Sequence, residues 1–388
     1  MSNKRIAVIN ATSYGSTGII ARRVINAYEG EARLFCFRSF NEYSNVTTLK
    51  INKLTDLASH AISRIDGKDA FHYHALTKKL IKELEAFKPD IIHIHNLHGY
   101  YINMPMLFEY IKKNQIKIYW TLHDFWVATG RCAHPDECKN YFTGCKSCPN
   151  KGCYPYTILH FEKPMFKKKK EVITSLDDLT FITPSEFIAN KVRETHLNKY
   201  EVKVINNGID LDRFYYEDNN LRETLNISKD KKVLLSVMLP ISEFKGIEYL
   251  NRLAEEEKDY QIVLIGKNED KLEINKNIIH IDFVNQEDIH KYYSMSDLFI
   301  NPTLSDNYPT VDMEAISCLL PIVSFDTGGS KEIITPNVGL ITPRGDYESF
   351  KEGIKKLLNT PINKEELKKR RLDFSKDKMI EEYLRLYE

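Results

Sequence analysis

The chain has 388 residues, of which 42% are hydrophobic and 28% are charged, a composition typical of a globular protein long enough for two domains. The overall charge is +1, but residues 1–205 carry 30 basic against 20 acidic residues and residues 206–388 carry 25 against 34, so the two halves carry +10 and −9. No apolar run is long enough to span a membrane, and the first ten residues, MSNKRIAVIN, lack an apolar signal core, so we expect a cytoplasmic protein.

Short apolar runs alternate with segments of helical spacing along the first half of the chain. KRIAVIN (4–10) predicts a strand, YGSTG a glycine-containing loop, and IIARRVINAY a helix. Later runs that predict strands are RLFCF, PDIIHIHN, IKIYWTLHD, LTFITPS and VKVINNG. Alternating strands and helices of this kind predict a parallel sheet covered by helices.

The same alternation restarts after a Gly/Asn/Asp-rich linker, NNGIDLDRF (206–214). Strands are predicted at KKVLLSVML, YQIVLIG, IIHIDF, DLFINPT and PIVSFD, with helical segments between them. We therefore predict an α/β protein of two Rossmann-like domains, residues 1–205 and 206–372, with a ligand in the cleft between them at the carboxyl ends of the strands. The last helix, within 373–388, is expected to pack back on the first domain.

The segment DNYPTVDMEA (306–315) places two acids, Asp306 and Glu314, eight positions apart. Pro309 suits the first turn of a helix, which Asp306 or Asn307 could cap. A helix N-terminus favours anions and polar oxygen ligands, so the segment could bind a phosphate or a sugar. Taken alone, however, the pattern is better explained by a capping acid and a surface glutamate.

The residues around this segment change that balance. Residues 299–333, FINPTLSDNYPTVDMEAISCLLPIVSFDTGGSKEI, resemble the donor-binding segment of family-4 glycosyltransferases, which have the GT-B fold. That family has two acids separated by seven residues, then a Pro-Val-Val-like strand and a Gly-Gly-x-x-Glu turn. Further ordered matches are KRIAVIN with YGSTG, the linker VINNGIDLDRF, Phe-Lys-Gly at 244–246 and YQIVLIG. The resemblance therefore extends over nearly the whole chain.

The resemblance implies roles for particular residues. Glu314 would bind the ribose hydroxyls of a nucleotide-sugar donor, and Asp306 would contact the donor sugar. Lys245 would pair with the diphosphate and stabilise the negative charge that grows on the leaving nucleotide. Val284 would contact the nucleobase. The remaining donor contacts would come from backbone groups near the sugar and the phosphates, at Gly15, Gly18, Asn307, Tyr308 and Thr310.

Three positions depart from the family pattern. Asp306 stands where the family has Glu, so the reach to the donor sugar is one methylene shorter. Met238 and Leu239 stand where Gly-Arg is common before the phosphate-binding lysine, so one phosphate cation is missing or comes from elsewhere. Asn206 replaces the usual proline of the linker.

His123, in YWTLHDFW, occupies the position of a family histidine near the anomeric carbon of the donor. We expect it to donate a hydrogen bond or move a proton there; the alternative is a histidine at a strand end that is satisfied by Asp124. Asn96 and His98, in IIHIHNLHG, end the preceding strand and are predicted to lie on the acceptor side. Two histidines that alternate with isoleucines are predicted to be structural, His93 and His95.

Five of the seven cysteines lie in a polar insert, predicted over residues 130–155. Four of them follow the spacing Cys-x5-Cys-x6-Cys-x2-Cys and are predicted to hold a structural zinc ion, with Cys153 and His134 as spare or competing ligands. The alternative is a set of reduced thiols without metal. The four predicted ligands are Cys132, Cys138, Cys145 and Cys148.

The sequence as a whole predicts a retaining GT-B glycosyltransferase that needs no metal for catalysis. A UDP- or GDP-sugar donor is expected, with a glycan or polyprenyl-diphosphate-linked acceptor, in capsule or lipopolysaccharide synthesis, and no nucleic acid partner. Basic residues that include Lys163 and Lys167–Lys170 are predicted to approach the inner face of the plasma membrane, although an ordinary solvated helix face would look the same. The alternatives are a sugar-nucleotide 2-epimerase of the same fold and a non-catalytic binding protein.

Overall fold

The structure of the chain is a computed structural model that describes residues 4–135, 138–149 and 152–388. The predicted Cys-rich insert is therefore described except for residues 136, 137, 150 and 151. The chain forms two compact units, Met1–Ile205 together with Ile380–Glu388, and Asn206–Met379. Within the described ranges, no helix is both long and apolar enough to cross a membrane.

The first unit contains a parallel sheet of seven strands in the order β3-β2-β1-β4-β5-β6-β7. The strands are β1 Ile6–Ile9, β2 Ala32–Cys36, β3 Val46–Thr48, β4 Ile91–Ile94, β5 Lys117–Thr121, β6 Leu179–Thr183 and β7 Glu201–Val204. The helices are α1 Gly15–Ala27, α2 Lys53–Asp66, α3 His74–Phe87, α4 Met104–Lys113, α5 Glu162–Thr174 and α6 Glu186–Arg193.

The central strands of this sheet are buried on both faces, which is why they are continuous apolar runs rather than alternating ones. Strand order reverses between β1 and β4, where ligands of doubly wound sheets bind at the carboxyl ends of the strands. The loops that follow β1, β4 and β5 meet at this edge.

The second unit contains a parallel sheet of six strands in the order β10-β9-β8-β11-β12-β13, so its order reverses between β8 and β11. The strands are β8 Lys232–Val237, β9 Tyr260–Ile265, β10 Ile278–Ile281, β11 Leu298–Asn301, β12 Ile322–Phe325 and β13 Gly339–Thr342. The helices are α7 Leu221–Thr224, α8 Ile247–Glu256, α9 Ile289–Met295, α10 Thr310–Ser317, α11 Ser330–Ile333, α12 Tyr347–Asn359 and α13 Lys364–Arg371.

The last helix, α14 (Lys376–Tyr387), starts among residues of the second unit and ends in the first. Tyr383 and Tyr387 near its end are 1% exposed and contact the first sheet. The Tyr387 hydroxyl bonds His93 of β4, and the Tyr383 hydroxyl lies 3.3 Å from Thr121 Oγ1 of β5. Aromatic side chains thus fasten the end of the chain to the first sheet.

One loop prediction was wrong. YGSTG was predicted as a loop, but α1 already begins at Gly15, so Gly15 and Gly18 lie in its first turn. The error has a physical reason, since glycine is common at helix boundaries as well as in loops, and composition does not separate the two.

Two glycines hold the loops at the carboxyl edge of the second sheet. Gly246 has a φ of +81°, and a Cβ atom there would overlap with the carbonyl oxygen of Pro302. Gly328 has a φ of +58°, and its Cβ atom would overlap with the carbonyl oxygen of Asp306. Neighbouring Gly329 donates its N–H to the Asn307 carbonyl at 2.9 Å. The glycines of the Lys-Gly and Gly-Gly motifs therefore pack backbone against backbone.

We predict that Gly246→Ala lowers the free energy of unfolding by at least ~2 kcal/mol more than Gly345→Ala, as measured by denaturant unfolding. Gly345 is a matched control because its φ is +76° but its Cβ atom would meet nothing closer than the Tyr249 hydroxyl at 3.4 Å. Equal losses at the two positions would show that φ, rather than the close approach to Pro302, sets the requirement for glycine.

Candidate active site

The predicted phosphate-binding lysine and the predicted sugar-binding acid form an ion pair. Lys245 follows β8 in a short 3₁₀ turn, Glu243–Lys245, and Asp306 follows β11, so both stand where the strand order reverses. Lys245 Nζ lies 2.6 Å from Asp306 Oδ2, with side chains 27% and 22% exposed. The second Asp306 oxygen accepts the N–H of Asn307 at 2.8 Å. The acid therefore orients both the lysine and its own loop.

Helix α10 begins directly after this loop. It starts at Thr310, and its N-cap position is held by Pro309, whose side chain has no hydrogen-bonding atom. The Asp306 carboxylate therefore bonds Lys245 and Asn307 and does not cap α10. The simpler interpretation of the sequence, in which Asp306 is a capping acid, does not hold. Tyr308 is 6% exposed and packs in the core of the unit. Asn307 and Tyr308 lie between Asp306 and α10, and Thr310 is the first residue of α10.

Glu314 lies on α10 and is held by a tyrosine from a neighbouring helix. The hydroxyl of Tyr293 on α9, itself 0% exposed, donates to Glu314 Oε2 at 2.8 Å. Burial raises the pKa of Glu314 to about 7, although Tyr293 and Arg213 both act to lower it. Glu314 is therefore a carboxyl group that changes charge near neutral pH.

Sequence reasoning missed a further acid, Asp312, which lies in the first turn of α10, two residues before Glu314. Asp312 is 0% exposed and accepts a hydrogen bond from Asn301 Nδ2 at 2.7 Å. Burial raises its pKa to about 8; the charges of Asp306 and Glu314 add to the rise, and Lys245 opposes it. The charges of Lys245, Asp306 and Glu314 all act on the Asp312 carboxyl group, so the four ionisable side chains lie in one region of the second unit.

The position predicted to contact the nucleobase lies on the same unit. Val284 follows β10 and packs, partly buried, against the core that includes Tyr293 and Tyr308. Its neighbour Phe283 is 76% exposed. Met238 and Leu239 stand where the family commonly has Gly-Arg. Met238 is 2% exposed, so it is a core residue here.

Three histidines form a stacked column in the first unit. The ring centroids of His93 and His95 are 4.7 Å apart, and those of His95 and His123 are 5.2 Å apart. His95 Nδ1 lies 2.9 Å from His123 Nε2, within hydrogen-bond distance. Burial lowers the pKa of His123 to about 4 and that of His93 to about 3, so both rings are neutral at pH 7. His95, predicted to be structural, therefore directly positions the predicted catalytic histidine.

Asp124 bonds a different histidine from the one that the alternative interpretation assigned to it. His98 Nε2 donates to Asp124 Oδ2 at 2.6 Å, and both side chains are nearly buried. Burial opposes protonation of His98, yet Asp124 raises its pKa above the usual value. Asn96, His98, His123 and Asp124 line one small cavity at the ends of β4 and β5. This cavity combines the neutral imidazole of His123 with a second imidazole, that of His98, which is paired with a carboxylate.

The turn between β1 and α1 completes this edge of the first sheet. Gly15 and Gly18 lie at the start of α1, and Asn10 Nδ2 donates to the carbonyl of Thr12 and to Thr17 Oγ1. Arg22 Nε donates to the carbonyl of Ser13 at 2.8 Å. The side chains of Asn10 and Arg22 therefore hold the loop before α1 and the first turn of that helix, which contains both glycines.

The cysteines of the insert lie near one another but are paired differently from the predicted zinc set. Cys132 shares a hydrogen bond with Cys153, which lowers the pKa of the Cys132 thiol to about 7. Cys145 Sγ accepts the N–H of Gly130 at 3.2 Å. Over the described ranges no three His, Cys, Asp or Glu side chains are arranged to hold a metal ion, and four residues of the insert lie outside those ranges. The zinc site stays a prediction.

Two family models match the chain in succession. The model described as Glycosyltransferase Family 4 matches residues 55–213, and the model described as Glycosyl transferases group 1 matches residues 217–373. Together they extend over most of the chain, including Lys245, Asp306 and Glu314. The chain belongs to the family-4 glycosyltransferases.

Known proteins agree with this assignment. WcaC of Escherichia coli K12, whose name assigns it to colanic acid biosynthesis, is 22% identical to this glycosyltransferase over 368 residues, 87% of this chain and 85% of WcaC. The structure of HepE from Anabaena in complex with UDP superposes with a TM-score of 0.70 at 14% identity, over 98% of this chain and 99% of HepE. Sucrose-phosphate synthase from Thermosynechococcus elongatus gives a TM-score of 0.70 at 16% identity, over 99% and 98% of the two chains. The fold is GT-B, as predicted.

We predict that binding of a nucleotide sugar to this glycosyltransferase strengthens as pH rises through about 7. An ionised carboxylate accepts two hydroxyl hydrogen bonds, and Glu314 is protonated below its raised pKa. Apparent affinity should therefore fall by up to ~tenfold per pH unit below 7 and level off above it. Isothermal titration with a nucleotide sugar measures this, because its diphosphate diester does not titrate near neutral pH.

The Tyr293→Phe variant separates Glu314 from other titrating groups. Loss of the Tyr293 hydrogen bond should raise the pKa of Glu314 further and move the pH midpoint of binding upward. Tyr292→Phe, one residue away on α9, should leave the midpoint unchanged. If the pH midpoint of binding persists in Glu314→Gln, the group responsible for the pH dependence is Asp312 rather than Glu314.

Proposed function

We propose that this glycosyltransferase moves a sugar from a nucleotide-diphosphate sugar to a glycan or lipid-linked acceptor, with retention of configuration at the anomeric carbon. The observation that carries the proposal is the Lys245–Asp306 ion pair at the switch point of the second sheet, with Glu314 in the same electrostatic environment. A cation beside two carboxyl groups suits a ligand that presents phosphate oxygens and sugar hydroxyls together.

In this proposal the diphosphate of the donor takes the place of Asp306 as the partner of Lys245. The lysine then stabilises the charge that develops on the diphosphate as the glycosidic bond breaks, and a preorganised cation is effective because it needs no reorientation in the transition state. Asp306, released from the lysine, accepts hydrogen bonds from hydroxyls of the donor sugar. Glu314 binds the ribose.

His123 acts in this scheme as a neutral hydrogen-bonding group. Its pKa of about 4 rules out a standing positive charge at physiological pH. His95 fixes one ring nitrogen at 2.9 Å, which orients the ring. We assign His98 and Asn96 to the acceptor side, where the His98–Asp124 pair lines the same small cavity as the neutral His123.

The names of related proteins support a place in cell-surface polysaccharide synthesis, since WcaC is named for colanic acid. A UDP-sugar is a candidate donor because HepE was crystallised with UDP. The proposal includes a peripheral contact with the inner face of the plasma membrane, which a lipid-linked acceptor would require. Catalysis is proposed to need no metal, since Lys245 supplies the cation.

The first test is a transfer assay on Lys245→Met. Loss of the amine should lower kcat/KM by at least ~100-fold, the scale of removing one preorganised charge-stabilising group. The melting temperature and donor binding of the variant are measured in parallel. Lys267→Met is the control, since Lys267 is 72% exposed and pairs with Glu269 on the surface of the same unit. Unaltered turnover in Lys245→Met would refute the role of the lysine.

The second test identifies the donor by thermal shift against UDP-, GDP- and ADP-linked sugars. A ligand at 100 times its Kd stabilises the folded state by about 2.7 kcal/mol, so one base class should raise the Tm and the others should not. Incubation with that donor but no acceptor is examined for an epimer. Formation of an epimer, or the absence of transfer with any stabilising donor, would contradict the proposal in favour of an isomerase or a binding protein.

A further inference from the structure

Helix α2 is amphipathic, and its apolar side faces solvent. Leu54, Leu57, Ala58, Ala61, Ile62 and Ile65 recur at helical spacing and form one stripe along Lys53–Asp66. Leu54 is 77% exposed, Leu57 66%, Ile62 48% and Ile65 46%. A globular protein in water normally turns such a stripe toward its core.

The polar side of the same helix faces the protein. Ser63 is the buried residue of α2, with an exposed fraction of 0%. His60 is half-buried, and its ring packs edge-on against Tyr100 with centroids 4.7 Å apart. The orientation of α2 is therefore fixed by contacts of its polar side, and the packing of the first unit gives no reason for the apolar stripe.

A second segment extends the exposed apolar surface. Ile158 donates its N–H to the Arg64 carbonyl at 2.9 Å, and Leu159 donates to the Ile65 carbonyl at 2.8 Å. Ile158 is 69% exposed and Leu159 44%. Phe161, 41% exposed, follows in the same segment. We call this surface the apolar patch; it comprises Leu54, Leu57, Ile62, Ile65, Ile158, Leu159 and Phe161.

Lysines border the apolar patch. Helix α5 begins directly after Phe161, and its exposed residues Lys163, Lys167 and Lys170 recur at i, i+4 and i+7 on one side of the helix. Lys168 is also exposed. The run is not a uniform solvated face, because Lys169 points inward, is 1% exposed and donates to the Trp126 carbonyl at 2.5 Å. Lys53 is exposed at the other end of α2.

We propose that the apolar patch docks this glycosyltransferase on an anionic lipid bilayer, with α2 lying in the plane of the interface. An exposed apolar helix face flanked by lysines is the pattern of interfacial helices, which insert apolar side chains among acyl chains while lysines meet anionic headgroups. A second copy is a poorer occupant, because a two-fold contact would bring together the lysine borders of two first units, each with 31 basic against 23 acidic residues and a net charge of +8. The docking surface deepens the membrane contact of the proposed function and rests on that part of it.

The test is flotation of the full chain with vesicles of phosphatidylcholine, alone or mixed with phosphatidylglycerol. The parent should bind the mixed vesicles at least ~tenfold more tightly than the neutral ones, and Leu54→Gln/Leu57→Gln should lose about tenfold or more. Leu372→Gln is the matched control, since Leu372 is 66% exposed like Leu57 but lies in the second unit. Ile158→Gln/Leu159→Gln repeats the test outside α2, and Lys163→Glu/Lys167→Glu should remove the preference for anionic lipid.

Failure of docking is distinguished from failure of the proposed function by the thermal shift with nucleotide sugars, which Leu54→Gln/Leu57→Gln should retain. No vesicle binding by the parent, or equal binding by parent and both glutamine variants, would overturn the docking surface. A parent dimer that Leu54→Gln/Leu57→Gln converts to monomer, detected by light scattering, would overturn it in favour of a second copy as the occupant.

Discussion

The ion pair between Lys245 and Asp306 is the interaction on which the second unit's site depends. Both residues stand on loops, and their separation of 2.6 Å is set by backbone packing at Gly246 and Gly328. Because its partners are each about a quarter exposed, this ion pair is screened by solvent only in part, and it fixes the orientation of the Lys245 side chain. A diphosphate that replaces Asp306 exchanges one anion for another, and neither charge is left without a partner.

Burial of the two acids on α10, Asp312 and Glu314, also shapes the electrostatics of this region. Ionised Asp312 and Glu314 would add negative charge to the region of the Lys245–Asp306 pair. Burial instead raises the pKa of Asp312 to about 8 and that of Glu314 to about 7, so at neutral pH the ligand-free site carries fewer negative charges than its composition implies. In the proposed function, ionisation of Glu314 would accompany binding of the ribose.

Some of this site could be predicted from the sequence because it rests on local patterns. The apolar runs predicted both parallel sheets, and the order of short motifs led to Lys245, Asp306 and Glu314. Tyr293 could not be found in this way, since it lies 21 residues before Glu314 and only the packing of α9 against α10 brings the two together. Asp312 could not be found in this way either, because its partner Asn301 lies on β11, eleven residues earlier, and no local pattern pairs the two.

Other features had a signal that was given too little weight. Lys169 shares helical spacing with Met165 and Ile173, both buried, so its inward orientation follows from periodicity that the run of four lysines obscures. His93 lies on β4 and His95 directly follows that strand, so their spacing of two residues in extended chain places both side chains on one face. The stripe on α2 predicts an amphipathic helix, but no local pattern states which side of it meets the protein.

The histidine column shows how far the first unit's site extends beyond its predicted residues. His93 bonds Tyr387 through Nδ1 and lies 2.8 Å from Thr121 through Nε2, while its ring stacks on His95, which in turn bonds His123. Burial keeps His93 and His123 neutral, so each hydrogen bond requires a particular tautomer rather than a charge. The last turn of α14 sets the surroundings of His93 and, through His95, the position of the His123 ring. Through these contacts, the last turn of α14, with its buried Tyr383 and Tyr387, is part of what orients His123.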